Sequence, residues 1–541
     1  MIAFISIGSN IGDRIKNIKN AIRAISKKNK VLSVSKFYIT KPMYYESQPY
    51  FINGAIKIET DLSPDELLVF LNDIEKKLGR KRIFKNSPRT IDLDIIYYGN
   101  KVINRDNLKI PHPKLYERAF VLAPMNDVAK NFKDPLKNKK VCELLLNLDF
   151  DNKDILRVPD EYGEVYSFLN NISLRKREDF KTDYIKKTLD VIGNPQTKIG
   201  RVIHITGSCG KTSTAKYIND LLKGSGYNVC LYTSPHIKDL RERIMIDSKM
   251  ISKASFYKNL INIISKAEIL HSPFEYITLI ALSEFSRKTP DFSVIEVGMG
   301  GENDATNVFD YSYSVFTTVT SEHKKYLGNS LKKIVLNKSG IIKNKGKVFV
   351  SSTNKLEAIK ILKEKAKRKN CEFYLFPRQK NSDFDFINKE FSKFIVSNIC
   401  ELKESKLKNF DCRKQSIKYK NSEILIDGAH TPLSVKMLLK SLSKDYKACL
   451  CGFMRDKEIK KMIQIIKKEG FRIYLAPSYA PRSFDPFEFK KYGIVFKDLR
   501  LALDKIIKKE KKLVVTGSLY FCSDVIKIIE NKKIEYFKEL L

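Results

Sequence analysis

The chain is predicted to fold as an α+β sandwich followed by two α/β domains with mostly parallel sheets, and three features carry that prediction. Up to about residue 135 the apolar spacing reads strand–helix–strand–strand–helix–strand. From about residue 165 short β-rich runs alternate with helix-like segments, and at 202–214 a strand runs into a glycine loop and then a helix.

Ile2–Ile7 is the opening strand and Ile11–Ser26 the first helix. Leu32–Tyr38 and Phe51–Thr60 read as strands, the second placing Ile52, Ile56 and Ile58 on one face. Ser63-Pro64-Asp65-Glu66 opens a helix, with a hydroxyl at the N-cap, proline at N1 and a carboxylate at N3. Asp149–Glu164 is polar, holds Pro159 and Gly163, and predicts a linker. Beyond it, strands are expected at Val202–Ile205, Asn228–Tyr232, Ser293–Val297, Ser314–Val319 and Lys347–Ser351. A smaller α/β stretch from about residue 388 adds Glu423–Ile426, Ala448–Cys451, Arg472–Ala476 and Lys512–Thr516. The expected domains are therefore 1–150, 165–387 and 388–541. A chain of 541 residues exceeds what one core organises, which agrees with this division.

Composition excludes several classes. With 43% hydrophobic and 11% aromatic residues the chain can fill cores, so global disorder is excluded. No run of about 18 apolar residues is present, and none is expected to span a membrane. The apolar start lacks a basic leader and a small-residue cleavage site, so it reads as a strand and not a signal peptide. Nine cysteines without a C-x-x-C pair argue against a disulfide or zinc framework; Cys449 and Cys451 sit in an apolar run that suits a buried strand. A cytoplasmic location and a monomeric state are expected, with small-molecule partners and no membrane partner. The net charge of +38 suits either nucleic-acid binding or dispersed solvated helix faces. The lysines are spread through 15–30, 355–369 and 505–512 without interleaved aromatics, so the second reading is preferred and no nucleic-acid partner is expected.

Arg89-Thr-Ile-Asp-Leu-Asp-Ile-Ile-Tyr97 is the key N-terminal segment. On a strand Asp92 and Asp94 share one face, and paired carboxylates repel unless a hard cation such as Mg²⁺ sits between them. An exposed alternating strand would show the same spacing. Pro88-Arg89, Pro111-His112-Pro113 and Glu75…Arg80…Arg82 supply the context. With Ser6-Ile-Gly-Ser-Asn10, Phe37-Tyr38…Thr40, Gln48-Pro…Asn53 and Arg118-Ala-Phe120, residues 1–135 resemble the 6-hydroxymethyl-7,8-dihydropterin pyrophosphokinases. The resemblance implies a ferredoxin-like α+β sandwich and transfer of the ATP β,γ-diphosphate to the pterin hydroxymethyl oxygen. It implies Mg²⁺ on Asp92 and Asp94; phosphate or nucleotide contacts from Arg82, Arg89, His112, Arg118 and Glu75; and a pterin held by Phe51, Phe120, Asn53 and Thr40. Asn86-Ser87 stands where many relatives carry Trp-Gly.

Val202-Ile-His-Ile-Thr-Gly-Ser-Cys-Gly-Lys-Thr-Ser-Thr214 offers backbone amides and a helix N-terminus to a phosphate. Ile205 replaces the first glycine of the full Walker spacing, leaving the compressed form with Gly207, Gly210 and Lys211, and a hydroxyl of Thr212 or Ser213 for Mg²⁺. Downstream come Thr233-Ser-Pro-His236, Phe274-Glu275…Thr278, Glu296-Val-Gly-Met-Gly-Gly301, Asp304-Ala-Thr-Asn307, Glu322-His323, Lys338-Ser-Gly340, Asp427-Gly-Ala-His-Thr-Pro432 and Asp456-Lys457. In this order they resemble the dihydrofolate synthase/folylpolyglutamate synthase family of the Mur-ligase superfamily, over about 165–541. The resemblance implies a P-loop Mur-ligase-like fold and ATP-dependent ligation of L-glutamate to dihydropteroate or a reduced folate through an acyl phosphate. It implies Mg²⁺ on Ser234, Glu296 and His323, with His323 alternatively a structural hydrogen-bonding residue, and Lys338 either carbamylated or structural. Lys211 and His323 would be catalytic, Asn388, Arg413 and Asp427 would bind nucleotide, and Asp304 substrate. Glu302-Asn303 and Thr431 depart from the family pattern, and the stretch between Phe376 and Asn388 is short, so reduced or narrowed ligase activity is expected. A chain active at only one head, or a basic nucleic-acid-associated protein with relic ATP sites, remains the alternative.

Overall fold

A computed structural model describes residues 1–541 except 82, 85, 152, 153, 173–181, 380–382, 404, 406, 408–410 and 535–541. The chain divides into two compact units, residues 1–194 with 253–280, and 195–252 with 281 onward.

In the first unit the sheet runs Asp92–Tyr98, Ile2–Ser9, Phe51–Glu59, Tyr38–Thr40, Ile155–Arg157, with Lys30–Val34 also paired to Phe51–Glu59. The pairings are antiparallel. Ile2–Ser9 is central and almost wholly buried. Its register sets Gly8 opposite Asp92 on one side and Asn53 on the other, with Ser6 opposite Asp94. Phe4, Ala55 and Ile96 pack with Val121, Leu122 and Met125 of the helix Ala119–Ala129.

Three sequence expectations change here. The first helix spans Arg14–Ile25 because Asp13 caps it, accepting from Lys16 N at 3.1 Å. The strand expected at Leu32–Tyr38 is split, since the Ser35 hydroxyl accepts from Ala55 N (2.8 Å) where a backbone carbonyl would otherwise stand. The segment 149–164, expected as a linker, contributes the strand Ile155–Arg157, which pairs with Tyr38–Thr40. Its local polarity hid a strand that only a sheet edge completes. The capping box at Ser63 and Glu66 forms as expected and starts the helix Pro64–Lys77.

In the second unit a sheet of eight strands is ordered Lys249–Met250, Ile244–Ile246, Val229–Tyr232, Phe292–Glu296, Arg201–Thr206, Tyr313–Phe316, Lys347–Ser351, Glu372–Phe376. It is parallel apart from the first two strands. A second sheet runs Gln415–Tyr419, Ser422–Ile426, Lys512–Thr516, Ala448–Cys451, Arg472–Leu475, Ile494–Val495, and only its first pairing is antiparallel. The boundary expected at 388 falls inside the helix Phe384–Ser397, whose Ile387, Phe391 and Ile395 pack on Ile203, Ala215 and Ile218. That helix therefore belongs to the first sheet's core, and the second sheet begins at Gln415. All nine cysteines are free, and Cys449 and Cys451 lie buried in a strand as expected. Among the described residues no helix is long and apolar enough to cross a membrane.

Two candidate active sites

The first site gathers on the strand Asp92–Tyr98. Asp92 lies 2.6 Å from Arg80 Nη1 and 3.1 Å from Arg89 Nε. Arg80 in turn pairs with Glu75, whose Oε1 accepts from Leu93 N at 2.7 Å. Glu75 thus ties the end of its helix to the carboxylate strand and holds Arg80, a residue for which no role was read in the sequence. Burial, and then the charge of Asp92, push the Asp94 carboxyl up to about 7. An acid pair held so uneasily suits a hard divalent cation. No group of three or more His, Cys, Asp or Glu side chains that could hold a metal occurs among the described residues.

Burial, and then the charge of Arg118, lower His112 to about 4, keeping its imidazole neutral; its Nδ1 accepts from Lys114 N at 3.2 Å. Asn53 donates to Thr40 Oγ1 at 2.7 Å, both side chains buried. A Cβ on Gly8 would come within 2.8 Å of Asn53 Oδ1, which explains a glycine in this central strand. Arg89 lies over Phe51 (5.2 Å) and Arg118 over Phe120 (5.6 Å), so each ring carries a guanidinium on one of its two faces. Asn10, quoted in the sequence only as part of a motif, braces the Arg89 backbone: its Oδ1 accepts from Arg89 N at 2.7 Å and its Nδ2 donates to Gln48 at 2.9 Å. Arg82 lies outside the described residues.

The second site forms at the carboxyl ends of the parallel strands, where open α/β sheets place their ligands. Gly210 holds a left-handed φ of 85° and opens the helix Lys211–Gly224; a Cβ there would stand 2.6 Å from Asn388 Oδ1. The loop is clipped to the neighbouring strand end by Ser208 N and Cys209 N, both donating to Thr318 O (2.7 and 3.1 Å). This is why the strand expected at Ser314–Val319 stops at Phe316.

Lys211 and Lys338 both donate to Gly207 O, at 3.2 and 2.9 Å. Burial, and then the charge of Lys211, lower Lys338 to about 8. Burial raises the buried Glu296 carboxyl, which accepts from Thr212 Oγ1 (2.9 Å) and Ser234 N (3.0 Å). Thr212 and Ser234 therefore meet at Glu296, whose carboxylate with the Thr212 hydroxyl offers oxygen donors that suit Mg²⁺. Glu322 was missed in the sequence as a functional group. Burial opposes its charge, yet the ammonium groups of Lys211, Lys338 and Lys457 hold it down at about 2. His323 adopts a left-handed φ of 52°, and burial followed by Lys457 lowers it to about 3, leaving a neutral imidazole.

Arg413 Nε donates to Ser213 Oγ at 3.3 Å, and Asp427 accepts from Lys414 N and Ala429 N at 3.0 and 2.9 Å. With Gly210, Asp385 and Asn388 they line a cavity of about 90 Å³. Asp304 is buried in the loop that follows the strand Phe292–Glu296. Its oxygens accept from Met299 N (2.9 Å), Thr306 N (3.0 Å) and Thr306 Oγ1 (2.5 Å), so it braces the loop after the strand Phe292–Glu296. Each of these donors belongs to its own loop. Thr431, one of the departures from the family pattern, has its Oγ1 3.6 Å from Cys209 Sγ.

Family models match both parts of the chain. The 7,8-dihydro-6-hydroxymethylpterin-pyrophosphokinase (HPPK) model matches residues 4–130, and the Mur ligase middle domain model matches residues 205–418. The chain is 37% identical over 155 residues to the 2-amino-4-hydroxy-6-hydroxymethyldihydropteridine pyrophosphokinase of Haemophilus influenzae, covering 28% of this chain and 96% of that protein. It is 27% identical over 421 residues to the folylpolyglutamate synthase of Lacticaseibacillus casei, covering 67% and 97%. The structure of E. coli FolC in complex with DHPP and ADP superposes with a TM-score of 0.61 at 20% identity, over 69% of this chain and 99% of that one, which establishes a shared fold. Of the longer folic acid synthesis proteins from Dictyostelium discoideum, Pneumocystis carinii and Schizosaccharomyces pombe, the chain spans 22%, 21% and 30%. The chain belongs, through its N-terminal part, to the 7,8-dihydro-6-hydroxymethylpterin-pyrophosphokinase family, and carries a Mur ligase middle domain in the same polypeptide.

Proposed function

We propose that the protein is a bifunctional enzyme of folate biosynthesis. Its first site moves the ATP β,γ-diphosphate onto the hydroxymethyl oxygen of 6-hydroxymethyl-7,8-dihydropterin. Its second ligates L-glutamate to dihydropteroate or a reduced folate. The observation that carries the reading is that each site keeps its own set of carboxylates and cations, Asp92 and Asp94 with Arg80, Arg89 and Arg118, and Glu296 and Glu322 with Lys211, Lys338 and Lys457.

At the first site Asp92 and Asp94 would hold Mg²⁺, and Arg89, Arg118 and the neutral His112 would orient phosphate oxygens. Phe51, Asn53 and Thr40 would take the pterin, with Phe120 on its other face. The antiparallel sheet supports a ferredoxin-like sandwich for this part, with diphosphate transfer assigned to about residues 1–150. At the second site Ser234, Glu296 and His323 would hold Mg²⁺. Mg²⁺ supplies charge neutralisation for the triphosphate at both sites. Lys211 faces the transferring phosphoryl group, and Lys338, with its lowered basicity, has the neutral amine fraction that carbamylation requires. Arg413, Asp427 and Asn388 enclose the nucleotide, drawing on the parts assigned as 165–387 and 388–541. We place the enzyme in the cytoplasm as a monomer acting on small molecules.

The test is purified protein with ATP and either 6-hydroxymethyl-dihydropterin, or dihydropteroate and glutamate, with products resolved by mass. Diphosphorylated pterin and a glutamylated product are expected; failure of either reaction removes that half of the assignment.

A further inference from the structure

The reaction assigned to the first site makes no use of Arg14, yet this side chain is almost completely buried, at the start of the helix Arg14–Ile25. Its Nε donates to Ser265 O at 3.1 Å, its Nη2 to Ile264 O at 2.5 Å and also to Ala267 O, and its Nη1 to Tyr50 O at 2.5 Å. Around it, Ile15 N donates to Ser265 Oγ at 3.0 Å, and Ser265 Oγ donates to the Asp13 carboxylate. The helix Lys253–Lys266 thus ends on a guanidinium, which meets carbonyls that a helix terminus leaves unpaired and the negative end of its dipole. Residues 264–268 lie far along the sequence, within its ligase part, but fold into the same compact unit as Arg14. Burial lowers Arg14 to about 10, which still leaves it a cation at neutral pH.

The same turn grips the pterin-side loop. Tyr50 is held on both backbone groups, its carbonyl by Arg14 and its N–H by Glu268 O at 2.9 Å. Phe51 follows directly, with Arg89 over its ring. Just before it, Pro49 O and Gln48 Oε1 accept from Asn10 Nδ2, and Asn10 Oδ1 in turn holds Arg89 N.

We propose that residues 264–268, from the ligase part of the sequence, form a supporting wall of the pterin pocket, and that Arg14 is the positioning residue that fastens this wall to the loop 48–51. The proposal rests on the pyrophosphokinase reading of the first site. It makes the first activity dependent on a segment of the second.

The experiment uses the full chain with Arg14→Met, Arg14→Lys and Ser265→Ala. Steady-state kinetics are measured with 6-hydroxymethyl-dihydropterin and ATP, and glutamate ligation reports the integrity of the second unit. In Arg14→Met the KM for the pterin should rise about tenfold, and in Arg14→Lys and Ser265→Ala about threefold, because a lysine reaches fewer of the carbonyls and the alanine loses the hydroxyl that bridges Ile15 N and Asp13. The ligation rate should stay within about twofold, and the KM for ATP should rise less than that for the pterin, since the loop 48–51 reaches Arg89 only through Asn10 and Phe51. Should Arg14→Met fail to fold, the two milder variants decide. Wild-type diphosphate transfer with an unchanged pterin KM in the folded variants would overturn the supporting wall alone. A wild-type protein without pterin-dependent ATP use would overturn the site reading and this proposal together.

Discussion

Lys211 and Lys338 converge on one carbonyl oxygen with Glu322 nearby, so the second site is a balance of buried charges in which no single group is spare. Lys211→Ala should slow glutamate-dependent ADP formation by about 100-fold or more, because a cation facing a transferring phosphoryl group in a water-poor site contributes several kcal/mol. Glu296→Gln should act in the same direction, and diphosphate transfer at the first site should be spared in both. A Lys211→Ala protein that still ligates glutamate at near the wild-type rate would reduce the loop 207–213 to a structural turn. Cys209→Ala removes only a 3.6 Å contact with Thr431 and should leave the ligation rate nearly unchanged. These residues were legible because strand, glycine loop and lysine are contiguous in sequence. Glu322 and Arg80 were not, since their partners approach from distant segments.

Elements were legible where the signal is local. The helix Pro64–Lys77 was announced by its cap, and its carboxyl end delivers Glu75 to Leu93 N and Arg80. Ser63→Ala should weaken that helix by about 1 kcal/mol, read as faster amide exchange in its first turn, with wild-type exchange there counting against the cap. The strand Ile155–Arg157 was illegible, being three residues long in a polar stretch and fixed only by its pairing with Tyr38–Thr40. A fragment ending at residue 150 lacks this edge strand and the turn 264–268. It should therefore be less stable than the full chain and bind the pterin more weakly. A fragment with full-length pterin KM would show that neither element matters to the pocket.

For the whole molecule, the first site lies within one compact unit and the second within the other, so each should be separable by mutation. Asp92→Ala or Asp94→Ala should abolish diphosphate transfer and leave glutamate ligation within a few-fold, measured on the same preparation. A parallel loss of both activities would contradict two independent sites.

The sequence by itself determined the class of each part, the paired aspartates of one strand, the glycine loop with its lysine, and most of the strand positions. Each of these is written in spacing along a continuous segment, where side-chain period and backbone demand act on neighbours. Only the tertiary structure decided that Asp304 braces its own loop, that the helix Phe384–Ser397 belongs to the first parallel sheet's core, and that Arg14 ends a helix some 250 residues away. Those outcomes depend on which distant carbonyls, donors and apolar faces are brought within bonding distance, and local spacing carries no record of that choice.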